Sequence, residues 1–494
     1  MVEAPIIEDH LNPSSTPEDP RVSNQLVGGG PRRKWFFLGA LVVLTALLQT
    51  GAWADGNDEF TPEQREAIQK MIKEMRMEEM RKSGGLTPFP PSSVKPGPEA
   101  FTGGGTLLGG RTIYAKPFVK SPKAVLGGYM DFEVTDCNGS AKDCSEGLEF
   151  DQVRFIPFIY SNVTDRIQVA AEIEFEHGGT DNNQGDGEVK VEFATFDYLI
   201  EDWVNFRAGI LLSPLGRFNL LHDSPLNDLT HRPLVSRFII PSTLSESGLG
   251  LYGTFYPTRL SKVDYEVYVV NGFDGETKEL FSEADGVSKS KGSQKTDNNQ
   301  SKSILARVAV SPFLGVEIGG SIHHGKWDDA GDKDLTITAV DWSLQRGPFE
   351  LIGESAWAHI EGGDGAPTGA GITGKVGTST AGTPPRNMAG FYVQGNYHFM
   401  PAFLKRMAPT HFTDASTFTA VIRYGEADTN TDSSINRSDF KRLTIGGNFR
   451  PIEDTVFKIG YTFNDEEAGS TDTEAPSDNP GRNNGWQFSV ATYF

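Results

Sequence analysis

The residues of this chain that could do chemistry gather in one segment, 213–246, SPLGRFNLLHDSPLNDLTHRPLVSRFIIPSTLSE. It carries Arg217, His222, Asp223, His231, Arg232 and Arg237. A His beside an Asp is a pairing used by general bases and activated nucleophiles. The pair His323-His324 suggests metal ligation. Neither develops into a catalytic pattern. Adjacent residues of a strand point to opposite faces, so His323 and His324 cannot simply share a metal. No GxSxG turn presents a nucleophile. The glycine-rich stretches lack the strand–helix setting of a phosphate or dinucleotide loop, and no CxxCH haem site is present. The expectation is a protein without catalysis, metal or cofactor, whose charges act electrostatically on what comes near them.

Composition narrows what must hold those charges. The 494 residues include 45 basic and 66 acidic ones, a net charge of -21, which excludes a binder of phosphate backbones. Hydrophobic residues are 37% and only one long apolar run exists, Trp35–Leu48, which excludes a polytopic helical membrane protein. Aromatics at 11%, with 32 Phe, are too many for a disordered acidic chain. The apolar run follows Arg32, Arg33 and Lys34 and precedes Ala52-Trp53-Ala54. That order of basic, apolar and small-residue parts predicts an export signal within residues 1–54, a single membrane anchor being the rival reading. Export makes a small-loop disulfide between Cys137 and Cys144 the expected fate of the two cysteines. Residues 55–85 are expected to hold a helix, 61–83, opened by Thr61-Pro62-Glu63 and able to form a short coiled coil. A Pro/Gly-rich linker, 86–124, follows.

From Val125 to Phe494 the apolar period is two. Ile167, Val169, Ala171, Ile173 and Phe175 alternate with Arg166, Gln168, Ala170, Glu172 and Glu174, and Leu443 and Ile445 with Arg442 and Thr444. Sixteen segments of roughly ten residues, the length of a tilted membrane-crossing strand, read near 125–134, 148–160, 165–177, 188–199, 203–212, 247–256, 262–271, 302–311, 315–325, 333–345, 348–360, 387–399, 416–426, 440–450, 454–464 and 485–494. Short connectors alternate with long polar ones, 400–415 being the exception. The predicted fold is all-β, a sixteen-stranded antiparallel transmembrane β-barrel with a short N-terminal helix. A soluble sandwich or propeller does not explain strict short/long alternation or charges in mid-strand. A closed barrel explains both, with lipid on one face and water on the other. Such a barrel leaves an aqueous channel. The segment 213–246 has too many apolar residues for a solvated loop and is expected to fold inward as a constriction. Facing it, the lumen positions are expected to include Arg154, Arg207, Arg307, Arg423, Arg442 and Lys458, against Glu172, Glu174, Glu266 and Glu317. Arginines across from an acidic wall would set a transverse field. The final strand, Trp486–Phe494, has the alternating apolar pattern and terminal Phe494 that outer-membrane assembly machinery reads.

The runs GGYMDFEV, FDQVRFIPFIYSNVTDRIQVAAEIEFEHGG (150–179) and FRAGILLSPLGRFNLLHDSPLNDLTHRPLVSRFIIPSTLSESGLGLYG (206–253) resemble the family of phosphate-selective porins O and P and their relatives. The resemblance covers roughly residues 125–494. It implies a trimeric sixteen-stranded porin of the bacterial outer membrane, meeting lipid and lipopolysaccharide, often with an N-terminal helix. The chain departs from the family's namesakes, whose pores are lined by arginine and lysine. Here the expected lumen has one lysine and several glutamates, so the resemblance implies a porin more firmly than it implies phosphate. Two other readings stand beside the porin: a sheath for partner cytochromes in an electron conduit, and a surface-anchoring barrel.

Overall fold

The structure, a computed structural model, describes residues 124–138, 147–179, 187–275, 281–283, 285–363, 384–432, 439–466 and 484–494. The expected export signal, the helix within 55–85, the linker up to residue 123, and Cys144 lie outside the described residues.

Sixteen strands form one closed antiparallel barrel in which sequence neighbours pair. They are β1 (Ala124–Cys137), β2 (Gly147–Asn162), β3 (Ile167–Glu176), β4 (Glu188–Glu201), β5 (Val204–Leu212), β6 (Ser245–Phe255), β7 (Lys262–Val270) and β8 (Ser303–Ser311). The circuit continues with β9 (Val316–Lys326), β10 (Asp334–Arg346), β11 (Phe349–Ile360), β12 (Asn387–Phe399), β13 (Thr417–Asp428), β14 (Asp439–Ile452), β15 (Thr455–Glu466) and β16 (Gly485–Tyr493). The strand limits read from alternation fall within three residues of these bounds. Closure is made by β1 and β16, from Tyr129 opposite Tyr493 to Asp136 opposite Trp486. Beyond the strand, Phe494 N donates to Gly128 O at 2.9 Å and Gly128 N donates to Phe494 O at 3.2 Å. Closure leaves no open edge, so every strand's backbone groups find partners in the wall.

The distribution of side chains is inverted relative to a water-soluble protein. Ile422, Ile445 and Ile459 point outward, 52%, 50% and 53% exposed, while their strand neighbours Arg423, Thr444 and Lys458 point inward and are buried. Aromatic residues on the outer face, such as Phe418 and Phe449 with ring centroids 4.6 Å apart, add to this apolar surface. An apolar exterior around a polar interior is the arrangement of a barrel that spans a membrane. The short connectors lie at one end and the long ones at the other. The exceptional connector 400–416 contains a short helix, α2 (Ala402–Met407), and the segment between β5 and β6 contains α1 (Val235–Phe238).

The interior is not uniformly polar. On the long-loop half, Tyr268 and Val270 of β7, Leu305 of β8, Leu335 and Ile337 of β10, Ala356, Ala358 and Ile360 of β11, and Met388 of β12 are buried together. They pack against Val235, Phe238, Ile239 and Ile240 around α1 and against Phe273, Phe281 and Val287 of the β7–β8 connector. Half of the barrel therefore encloses a dry core built from two connectors folded back onto the inner wall. Burial of apolar surface at about 25 cal/mol per Å² is what holds such connectors in place.

Candidate functional site: the charged lumen around segment 213–244

The segment between β5 and β6 crosses the lumen and binds nearly every side of it. Near its start, Gly216 N donates to Ser321 Oγ of β9 at 2.9 Å. The N–H groups of Arg217 and Phe218 both donate to Glu354 Oε2 of β11, at 2.6 and 2.9 Å. Glycine is required at 216: its φ is +68°, and a Cβ would fall 2.7 Å from the Glu354 carboxylate. His222 Nε2 lies 3.1 Å from Glu192 Oε2 of β4. The Tyr493 hydroxyl of β16 donates to Asp223 at 2.9 Å. Lys458 Nζ of β15 donates to the carbonyl and hydroxyl of Ser224, at 2.7 and 2.9 Å. Asp228 accepts from Asn396 of β12 at 2.8 Å and from Asn448 of β14 at 3.0 Å. Arg423 of β13 donates to the carbonyl of His231, and Thr243 donates to Glu192 Oε1 at 2.9 Å. Hydrogen bonds to charged groups are worth about 1.5–3 kcal/mol each, so several together hold the segment firmly.

Between this segment and β2 lies a cavity of about 10 Å³, lined by Arg154, Phe218, His222, Ser224, Asn227, Leu229, Thr230, His231 and Arg232. That is room for about one water molecule. The segment itself spans the lumen from wall to wall, from Glu192 on β4 to Glu354 on β11 and Lys458 on β15.

Most of the expected lumen arginines face inward, and most are paired. Arg154 Nε donates to Glu174 Oε1 of β3 at 2.9 Å, and Lys190 of β4 lies 2.5 Å from the other oxygen of Glu174. Arg207 makes a bidentate pair with Asp197 at 2.7 and 2.8 Å and lies 4.4 Å from the centre of the Tyr252 ring. Arg307 of β8 reaches over β9 to Asp341 of β10, with contacts of 2.5 and 2.8 Å. Gly319 makes the crossing possible, since a Cβ there would lie 2.4 Å from Arg307 Nη2 and 2.6 Å from Asp341 Oδ1. Arg442 donates to Asn464 at 2.7 Å. Within the segment, Arg232 donates to the carbonyl of Ser242. Arg237 lies apart in α1, 5.7 Å from the Phe238 ring centre. Glu172 and Glu174 are buried on β3.

The acids gather on one side, interleaved there with Arg154 and Lys190. Asp131, Glu133, Glu172, Glu174, Glu176 and Glu192 stand on β1, β3 and β4. Arg423 and Arg442 stand on β13 and β14 beside His231, whose ring nitrogens have no hydrogen-bond partner among the described residues. Burial and the guanidiniums of Arg442 and Arg423 push His231 down to about 3. His222 moves the other way: burial alone would lower it, but the carboxylate of Glu192, with Asp223 adding to it, raises it above the ordinary histidine value. Lys291, on the β7–β8 connector, is pushed down to about 8 by burial and by Lys190 and Arg232.

Sequence reasoning missed Glu192, Asp197, Glu246, Asp341 and Glu354, which hold these cations or the segment itself. Their strand parity would have exposed most of them. Glu192 was hidden, because the β3–β4 register shifts there: Glu172 pairs with Phe193 and Ile173 with Val191. His323 and His324 behave as alternation requires, His323 buried inside beside Glu246 at 3.1 Å and His324 turned outward. The expected partner of Cys137 lies outside the described residues.

No family model matches the chain. An uncharacterised protein of Aquifex aeolicus (strain VF5) is 36% identical over 134 residues, 27% of this chain and 30% of that protein. The chain therefore spans less than a third of the curated relative it matches. Among solved structures, the chain is similar to the outer membrane channel DcaP of Acinetobacter baumannii, with 11% identity, a TM-score of 0.46, and coverage of 75% of this chain and 97% of that one. It is similar to an anion-selective porin from Comamonas acidovorans, with 13% identity, a TM-score of 0.47, and coverage of 75% and 99%. It is also similar to OmpF of Salmonella typhi, in complex with daunomycin, with 10% identity, a TM-score of 0.47, and coverage of 75% and 98%.

Proposed function

We propose that this chain is a channel of the bacterial outer membrane, passing small hydrophilic solutes or ions by passive diffusion. One observation carries the reading: a closed, apolar-clad barrel holds a charged interior that one inward segment crosses. In such barrels the long loops face outside and the short turns face the periplasm. Rings of charge at a narrow place decide which ions pass. The acidic strands β1, β3 and β4 facing Arg423 and Arg442 would set a field across the lumen. The cations placed around the crossing segment, Arg423 at the His231 carbonyl and Arg154 and Arg232 at the small cavity, support small anions, phosphate among them, as favoured solutes. The expected pore-lining set is taken as the constriction, with Arg237 and the buried Arg307 left out. The disulfide of Cys137 and Cys144 and a homotrimer remain part of the proposal. A sheath for cytochromes would need a lumen wide enough to hold a partner, and segment 213–244 occupies that space.

The test is single-channel recording in planar bilayers with asymmetric KCl, repeated with phosphate. The expected result is a steady ohmic conductance with a reversal potential displaced toward that of chloride. A purified, folded barrel that carries no current would remove the channel reading, and a cation-displaced potential would remove the anion part alone.

A further inference from the structure

We infer that the path through the barrel is off-centre: it runs down the β2–β4 side, past Lys190, Arg154 and Arg232, and through the gap between Arg154 and the Asn227–Arg232 stretch of the crossing segment. The inference rests on the channel reading and adds where the solute goes.

Two observations carry it. First, on the long-loop half, the side of the lumen from β7 to β13 is sealed. The inward residues there include Tyr268, Val270, Leu305, Ile337, Ala358 and Met388, buried with Phe238, Ile239 and Phe273, and the one histidine among them, His323, is buried against Phe273 and held by Glu246. A dry apolar core of this kind admits neither water nor ions, because a charge moved into it loses its hydration without gaining a partner. Second, the opposite wall keeps charged groups in reach of water. The side chains of Lys190, Glu176 and Arg154 are 32%, 19% and 15% exposed. On the connector side of the same space, Arg232 and Lys291 are also partly exposed. Below them the water-sized cavity touches Arg154, Thr230, His231 and Arg232. Asn227 also lines the cavity, and its neighbour Asp228 lies 3.8 Å from Arg450, near the short-turn end of β14, the two being 13% and 17% exposed. Polar groups in contact with water thus recur down this side, from Lys190 and Glu176 through Arg154 and Arg232 to Asp228 and Arg450.

The route makes a chemical selection of its own. A solute descending this side meets the partly exposed Lys190, Lys291 and Arg232 first, then Arg154, with Glu176 beside them, while Asp131, Glu172, Glu174 and Glu192 of the same wall are buried behind these cations. The arginine pair Arg307 and its partner Asp341, although inward, belongs to the sealed side and is not sampled.

Cysteine substitution with recording in planar bilayers tests the route. Lys190→Cys and Thr230→Cys place a thiol on it, and Ala358→Cys and Ala356→Cys place one in the sealed core. The probe is the anionic reagent 2-sulfonatoethyl methanethiosulfonate. The expected result is that modification at Lys190→Cys and Thr230→Cys removes a large part of the current, while Ala358→Cys and Ala356→Cys neither react nor change. Modification of both route thiols, verified by mass, with unchanged current overturns the route. So does reaction with loss of current at either core position. Absence of current in the unsubstituted barrel would overturn the channel reading and the route together, so the two failures are distinguishable.

Discussion

Glu354 receives the backbone N–H groups of both Arg217 and Phe218 on one oxygen, 2.6 and 2.9 Å away. Glu354→Ala leaves two buried donors unpaired, each costing about 1–3 kcal/mol, so the variant should unfold in detergent at lower urea than the parent. Tryptophan fluorescence reads the transition, and an unchanged midpoint would show that the segment is not anchored there. His222 adds a pH dependence. Its folded pKa is raised, against burial, by Glu192 with Asp223 adding, and Arg232 nearby opposes. The charged pair with Glu192 therefore contributes in full below the ordinary histidine pKa of about 6.5 and is lost as pH rises through the higher folded value. Replacing His222 by Gln should cost more stability at about pH 5.5 than at about pH 9. Equal costs at both values would show that the imidazole is neutral throughout. These roles could not be read from the sequence: His222 and Asp223 look like a catalytic pair, and only their partners on β4 and β16 show that they fasten the segment.

At the level of elements, the strands were legible because a tilted membrane strand must turn an apolar side chain outward at every second position. Ile422, Ile445 and Ile459 obey this without exception around β13–β15. The rule fails where the register shifts, and Glu192 sits at such a place on β4. The dry interior core was not legible either. Ile337, Ala339 and Ala358 face inward and are apolar, against the simple rule of polar inside, because two connectors cover them. The reach of Arg307 across β9 depends on a missing side chain at 319. Gly319→Val would push the Arg307–Asp341 pair apart, and breaking a buried ion pair costs about 3–5 kcal/mol. A markedly lower thermal midpoint in detergent is expected; a parental midpoint would show that the pair adjusts around the methyl groups. Segment 213–244 can also be tested as an element. Replacing residues 224–231 by glycine and serine at equal length removes the bonds to Lys458, Asn396 and Asn448. Single-channel conductance should then rise several-fold, and an unchanged conductance would place the constriction elsewhere.

For the whole molecule, the net charge of -21 and the charge around the crossing segment make opposite demands on an entering ion. Much of the acid lies between strands: residues 467–478 alone hold Glu467, Asp472, Glu474 and Asp478. Charges on a solvated connector act through water, over a Debye length of about 10 Å at 0.1 M salt and about 3 Å at 1 M. The charges around Lys190, Arg154 and Arg232 act at close range in a partly desolvated gap, where salt screens far less. Anion preference should therefore grow as salt is raised from about 0.1 M to about 1 M, because the repulsion at the mouth fades while the charge at the crossing segment persists. Neutralising Glu467, Asp472, Glu474 and Asp478 together should shift the reversal potential at low salt only. Lys190→Glu should shift it toward cations at both. If the connector variant and Lys190→Glu change with salt in the same way, the selecting charge lies in the mouth and not at the crossing segment.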